Sequence, residues 1–471
     1  MAIIEFDLLK PGRNLVVAPA GCGKTQLIAD TLLHYSGDKP ILILTHTNAG
    51  VVALRNRMSR AGVSSNKYRI STIDGWAIKL ITTFPKRSSH DPKIVTGITP
   101  DYTAIRSAAR LLLKEGHVSD ILKASYSHLI VDECQDCSKL QIGIAYYAGE
   151  VLSTTLLGDE MQSIFDFGED RLADWNKHVL RYFALLGELT KPWRWINAGS
   201  EKLGSWLLDV RKSLHEGKGV DLRSRPDSVE WLKLQGDGSD IERLLQAGNV
   251  KAKNNGGVLI IGDSKNPRSQ RLFARRIHGA VTVEAVNLTD LVKFAESLDL
   301  NTSEALETIA EFADQLVANF GANQFLKRIE TLIKGRAVKG ANVAEVIALE
   351  FLSQPSYALV RNLLIEIQNL PGVKVYRPDI FRCCIQALNN CDATTSFYEA
   401  AIQIREQNRL QGRPLPRKAV GSTLLLKGLE AEVVVILDGD SMNAKNLYVA
   451  MTRGATKIVI CSKSAVLGKE I

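Results

Sequence analysis

The chain of 471 residues contains no apolar run of membrane-spanning length. No basic-then-apolar leader opens it, so no signal peptide is expected. It has no internal repeat and no low-complexity tract. Cysteine is scarce: seven residues, an odd number, are scattered without a disulfide-like pattern. That usage suits a reducing compartment, and the expected location is cytoplasmic, without a membrane partner. Neither charge sign dominates, since 59 Lys and Arg face 51 Asp and Glu for a net charge of +8. This excess permits a polyanionic partner such as DNA or RNA but does not demand one. Cys134 and Cys137 form a C-x-x-C without a second pair at metal-ligand spacing, which argues against zinc. No metal-binding nuclease constellation is found. What remains is an ordinary globular composition, 45% hydrophobic and 23% charged, at a length suited to roughly two to four domains.

The most informative stretch is Ala18-Pro19-Ala20-Gly21-Cys22-Gly23-Lys24-Thr25, between an apolar run at Leu15 to Val17 and a helical pattern from Thr25 to Tyr35. A strand, a glycine-rich turn and a helix make the context of a phosphate-binding P-loop. The glycines let backbone N–H groups face phosphates, and the helix N-terminus adds partial positive charge. Lys24 is expected to reach the β- and γ-phosphates of ATP, and Thr25 to hold Mg2+.

Strand and helix patterns then alternate, which implies a parallel sheet covered by helices. Strands are expected at Ile41 to Leu44, Ile70 to Thr72, His128 to Val131 and Thr155 to Leu157. The strand at His128 ends in Asp132-Glu133-Cys134-Gln135-Asp136. Acidic residues at a buried strand end need a cation or a reacting centre. Asp132 is expected to bind magnesium through water, Glu133 to orient or deprotonate the attacking water, and Gln135 to sense the γ-phosphate. Gln162 stands at the next strand end, and Phe165 and Phe167 on the loop beyond it suit stacking on single-stranded bases. Arg268, Arg271, Arg275 and Arg276 mark either a solvated helix face or a DNA-phosphate contact. From about Asn287 to Gly412 the periodicity is helical throughout, with helices expected at Ala305 to Phe320, Phe325 to Ile333, Val343 to Leu352 and Ala358 to Leu370. Strands close the chain at Ser422 to Leu426, Val433 to Leu437 and Lys457 to Cys461.

Taken together these motifs resemble the UvrD/Rep-like superfamily-one DNA helicases. The P-loop is similar to their motif I, Thr45-His46-Thr47-Asn48 to motif Ia, and Asp132 to Asp136 to motif II. Gly158-Asp159 through Phe165 is similar to motif III, and Leu189 to Arg194 to motif IV. Lys427-Gly428-Leu429-Glu430 looks like motif V, and Tyr448 to Arg453 like motif VI. The resemblance implies an α/β fold of two RecA-like P-loop NTPase domains with a helical insertion in the second. The first would span 1–186, with a small insertion at about 79–117. The second would comprise 187–286 and 413–471, with the helical insertion at 287–412. It implies that Arg194 and Arg453 stabilise the transferring γ-phosphate, that Glu430 lies at the ribose, and that His46, Thr47, Asn48, Phe165 and Phe167 hold a single strand. ATP would sit between the two domains, and hydrolysis would drive a translocase or helicase on single-stranded or tailed duplex DNA.

Three departures stand out. No glutamine precedes Gln26, where the family reads adenine. The W-R-G-A after motif III is Phe167-Gly168-Glu169-Asp170, and Leu424 replaces the motif V histidine. A narrower resemblance rests on the short chain, the reduced first insertion and the turn Asp74-Gly75-Trp76. These are similar to the helicase-like subunit of the Gabija anti-phage system, which implies a separate TOPRIM-containing nuclease partner. The alternatives are a free-standing repair or recombination helicase, and a non-unwinding regulatory ATPase that switches a protein partner.

Overall fold

In the computed structural model the described residues are 5–96, 100–165, 170–253, 256–263, 266–285, 287–392, 394–410 and 416–469. The chain divides into two compact units. One comprises Met1–Glu230, Gly439–Ile458 and Ser464–Ile471, and the other Trp231–Asp438 and Val459–Lys463.

The first unit is built on strands β1 (Arg13–Val17), β2 (Ile41–Thr45), β3 (Tyr68–Thr72), β4 (His128–Val131), β5 (Ser153–Gly158) and β6 (Ala184–Glu188). Their order is β3-β2-β4-β5-β1-β6, and every pairing is parallel. The strands read as unbroken apolar runs because both faces are covered. Alternate residues part accordingly: Leu42, Leu44, Leu129, Val131 and Leu156 enter one core, and Ile41, Ile43, Ile130 and Leu157 the other. The expected small insertion adds Tyr102–Lys114, whose Ile105, Ala109, Leu112 and Leu113 join the first of these cores. Its Arg106 clasps Asp74 through two hydrogen bonds of 2.7 Å. Strand β7 (Val220–Asp221) belongs to this unit and pairs antiparallel with a short strand near the C-terminus.

The second unit holds another six-stranded sheet. Its members are β8 (Val229–Lys233), β9 (Val258–Ile261), β10 (Val281–Thr282), β13 (Lys418–Gly421), β14 (Ala431–Ile436) and β15 (Gly454–Ser462), in the order β10-β13-β9-β14-β15-β8. The pairs β10–β13, β13–β9 and β14–β9 are parallel. Strand β15 begins in the first unit and continues into the second. β10 and β13 are neighbours in the sheet although the whole helical region separates them in sequence, so that region is an insertion. It carries the ribbon β11 (Val317–Ala318) and β12 (Lys374–Val375), and β16 (Val466–Leu467) is the partner of β7. The two sheets are the RecA-like α/β architecture expected from the motif pattern.

The inserted helices surround their own core, in which Phe294 stacks on Phe312 at 3.8 Å. Arg377, fully buried, anchors the region through Glu284 at 2.7 Å and Asp290 at 2.6 Å. Of the four arginines at 268–276, Arg271 pairs with Asp290 at 2.5 Å and Arg275 with Asp314 at 3.3 Å. Among the element boundaries that differ from expectation, two change the path of the chain. The helix from Ala305 ends at Leu316, where the chain enters β11. Residues 423–428 form turns, and the strand expected at Ser422 to Leu426 is not formed. The chain folds back there so that Leu426 covers Gly421, and a Cβ on that glycine would lie 3.2 Å from Leu426 Cγ.

Candidate functional site

The strand order puts the C-terminal ends of β1, β4 and β5 side by side, so their trailing loops share one rim. At that rim β1 gives way to Ala18, Pro19 and Ala20, and then to Gly21 and Gly23 at φ 72° and 89°. These left-handed conformations favour glycine. Gly21 is required sterically as well, since a Cβ there would come within 2.5 Å of the Trp195 ring. The helix Lys24–His34 starts with no side-chain cap on its first amides, and its N-terminus is suited to an anion. Cys22 is buried in this loop, and burial pushes its thiol up to about 12. Thr25 is half-buried beside Lys24.

Lys24 Nζ lies 3.0 Å from Asp132 Oδ1 and 2.6 Å from Glu133 Oε1. Burial disfavours the ammonium, but the two carboxylates outweigh it and raise the Lys24 pKa above its ordinary value. Burial likewise pushes the Asp132 carboxyl up, against the pull of Lys24. Glu133 adopts φ 57° and ψ 41°, a left-handed conformation rare for a residue with a Cβ. Such a backbone persists where its surroundings enforce it. Here Gln135 donates from Nε2 to Glu133 Oε2 at 2.5 Å, and its Oε1 accepts from the Asp159 amide at 3.1 Å. Gly158 leaves room for this relay, because a Cβ there would meet Cys134 Sγ at 2.5 Å and Gln135 Oε1 at 2.6 Å. Gln162 Nε2 donates to Asp159 Oδ2 at 3.1 Å. The acidic and glutamine residues singled out in the sequence therefore form one connected set with the P-loop lysine.

Both motif arginines belong to this same unit. The Arg194 amide donates to Gly21 O at 3.0 Å, and its guanidinium to Thr452 O at 2.6 Å. Arg453 is buried and donates from Nε to Val449 O at 2.9 Å. Glu430 lies in the second unit, exposed, just before β14. His46 and Phe165 are brought together with ring centroids 5.3 Å apart. Thr47 caps the helix Asn48–Arg60 by accepting from the Gly50 amide at 3.1 Å, and Thr47 and Asn48 are exposed. Phe167 lies outside the described residues, as do Gly168 and Glu169.

Sequence reasoning missed three supports. Arg211, on the helix Glu201–His215, places Nε and a terminal nitrogen 3.0 and 2.8 Å from Asp159, which is fully buried. Asp159 outweighs desolvation and raises the Arg211 pKa. Tyr448 Oη accepts from the Ala20 amide at 3.3 Å, and burial holds that phenol far above its ordinary pKa. Trp195 Nε1 donates to Gly454 O at 2.9 Å beneath the P-loop. The one available signal for Arg211 was Asp159 itself, a strand-end acid in need of a counter-charge.

The donor set fits a magnesium nucleotide. Phosphate would face the uncapped amides and Lys24, while the Thr25 hydroxyl and Asp132 are hard oxygen ligands. Among the described residues no cluster of three His, Cys, Asp or Glu suits a resident metal, and no helix is long and apolar enough to cross a membrane.

Residues 3–168 match the family model described as an AAA domain. No curated protein matches the sequence. Among solved structures, the chain is similar to arterivirus nonstructural protein 10, a helicase, in complex with DNA. That match has 10% identity and a TM-score of 0.36, and covers 96% of this chain and 60% of the other. It is also similar to the Pif1 helicase from Candida albicans, with 11% identity and a TM-score of 0.38 over 97% of this chain and 93% of the other. The chain thus spans less than two thirds of the arterivirus protein's length.

Proposed function

We propose that the protein is an ATP hydrolase of the helicase type that moves along single-stranded DNA. The observation that carries this reading is the convergence of Lys24 with Asp132 and Glu133 at 3.0 and 2.6 Å. Lys24 and the first amides of its helix bind the triphosphate. Thr25 and Asp132 would hold magnesium, which would supply charge neutralisation on the triphosphate. Glu133 accepts the proton of the attacking water, and Gln135 fixes its carboxylate. Gln162 lies beside them to register the γ-phosphate, while Arg194 and Arg453 stabilise the charge of the transferring group, an effect on the order of a thousandfold in related NTPases. Glu430 contacts the ribose. A strand is gripped by His46, Thr47, Asn48, Phe165 and Phe167.

The narrower assignment is the motor or sensor subunit of a cytoplasmic anti-phage defence complex with a separate TOPRIM-containing nuclease. It rests on the resemblance at Asp74-Gly75-Trp76 and the short first insertion, and a free-standing repair helicase is the alternative. A non-unwinding regulatory ATPase is favoured by the altered W-R-G-A position, where Gly168 stands in place of the arginine. One experiment separates these readings: ATP turnover and strand displacement measured together on tailed duplexes. DNA-stimulated turnover with displacement is expected. Stimulation without displacement would overturn the helicase reading in favour of the regulatory one, and absence of ATP turnover would overturn all of them.

A further inference from the structure

An open cavity of about 690 Å³ runs along the free edge of the first sheet, at β3. Strands β2, β4 and β5 stand between it and β1, which leads into the P-loop, so it is separate from the nucleotide site. Among the described residues three cations line it, Arg55, Arg69 and Lys79, all exposed, and no carboxylate does. None of the three forms an ion pair among the described residues. The arginines instead donate to main-chain carbonyls. Arg55 reaches Ile70 O at 3.5 Å, and Arg69 reaches Ser65 O at 2.9 Å and Tyr68 O at 2.8 Å. These contacts leave further N–H groups of each guanidinium for a ligand.

The remaining lining is complementary in kind. Leu42 and the buried Trp76 form an apolar floor, and Tyr68 and Tyr126 add half-buried rings. Cations without counter-charges concentrate positive potential in a concave site. Rings beside them favour a flat, partly apolar body over a bare inorganic ion. An added β-strand is a poor occupant, because arginine side chains cover the Tyr68 and Ile70 carbonyls that such a strand would use. The volume falls in the range of small-ligand pockets.

We propose that this cavity binds a nucleoside phosphate, either free or as one nucleotide of a strand. The phosphate faces Arg55, Arg69 and Lys79, and the base lies against Tyr68 and Tyr126. The inference does not depend on what the P-loop binds.

The test uses the full chain in two backgrounds, wild type and Lys24→Ala, titrated with fluorescent adenosine monophosphate and with labelled trithymidylate. At least one probe is expected to bind both backgrounds with similar affinity. The double change Arg69→Ala with Lys79→Ala is expected to weaken that binding roughly tenfold or more. Both side chains are exposed, so thermal melts of the variant should match the wild type. Photocrosslinking of 8-azidoadenosine monophosphate to wild-type protein should label peptides containing Tyr68 or Tyr126. Binding of the mononucleotide identifies a free nucleotide as the source, and binding of the trinucleotide alone identifies a strand. The proposal is overturned if neither probe binds at about 1 mM, if the double change leaves binding intact, or if crosslinks map elsewhere.

Discussion

Glu133 combines a left-handed backbone, a 2.6 Å contact to Lys24 and a hydrogen bond from Gln135. Exchanging its carboxylate for an amide keeps the shape but removes the proton acceptor. Glu133→Gln should lower ATP turnover by roughly a hundred- to ten-thousandfold while nucleotide binding persists. Phosphate release and a fluorescent-nucleotide titration read the two quantities, and a variant with normal turnover would remove Glu133 as the base. Arg211 has a different role. Its loss in Arg211→Ala would strand the fully buried Asp159 carboxylate, at a cost of about 3–5 kcal/mol. Urea unfolding should show a markedly lower midpoint, and an unchanged midpoint would refute the pairing. The contrast shows what was legible. Lys24, Asp132 and Glu133 stood out because glycines and acids at strand ends have a local spacing with a chemical meaning. Arg211 sits on an ordinary amphipathic helix, and its partner is 52 residues away, so no local pattern marks it.

Among the elements, the inserted helices were legible as a group because their 3.6-residue periodicity is long and uninterrupted. The turn at 423–428 was not, because an apolar run bounded by glycines reads equally well as a strand. What decides is the packing of Leu426 over Gly421. Nor did the sequence disclose how the insertion is fastened. Burial pushes the Glu284 and Asp290 carboxyls up, yet hydrogen bonds from Arg377 outweigh it and hold both below the usual carboxylate range. Depressed folded-state values stabilise above the unfolded pKa of about 4 and lose that stability as pH falls through the folded values. Arg377→Met reverses the sign at Glu284, where burial would then raise the folded pKa. The variant should be destabilised by about 3–5 kcal/mol at pH 7 and regain part of that on acidification toward pH 5. Urea unfolding of both proteins at pH 7 and pH 5 measures the difference. Parallel shifts in the two would show that Arg377 does not govern these carboxyls.

For the molecule as a whole, the charge total is a poor guide to the number of phosphate contacts. Arg106, Arg211, Arg271 and Arg377 are each paired with a carboxylate and so add nothing to the +8, and the total does not say where the remaining cations lie. The proposed grip on a strand instead includes uncharged groups, with the His46 and Phe165 rings 5.3 Å apart at its centre. Stacking on aromatic rings contributes about 1–3 kcal/mol per base and releases no counterions, whereas each neutralised phosphate adds roughly 0.7 to the salt slope for single strands. The two contributions are therefore separable in one experiment. Single-strand affinity, read by fluorescence anisotropy between about 50 and 200 mM salt, should fall with a slope corresponding to only a few phosphates. His46→Ala with Phe165→Ala should displace that line downward by roughly tenfold or more without changing its slope. A changed slope would mean that these rings position cations rather than bases. An undisplaced line would mean that the strand runs elsewhere on the protein.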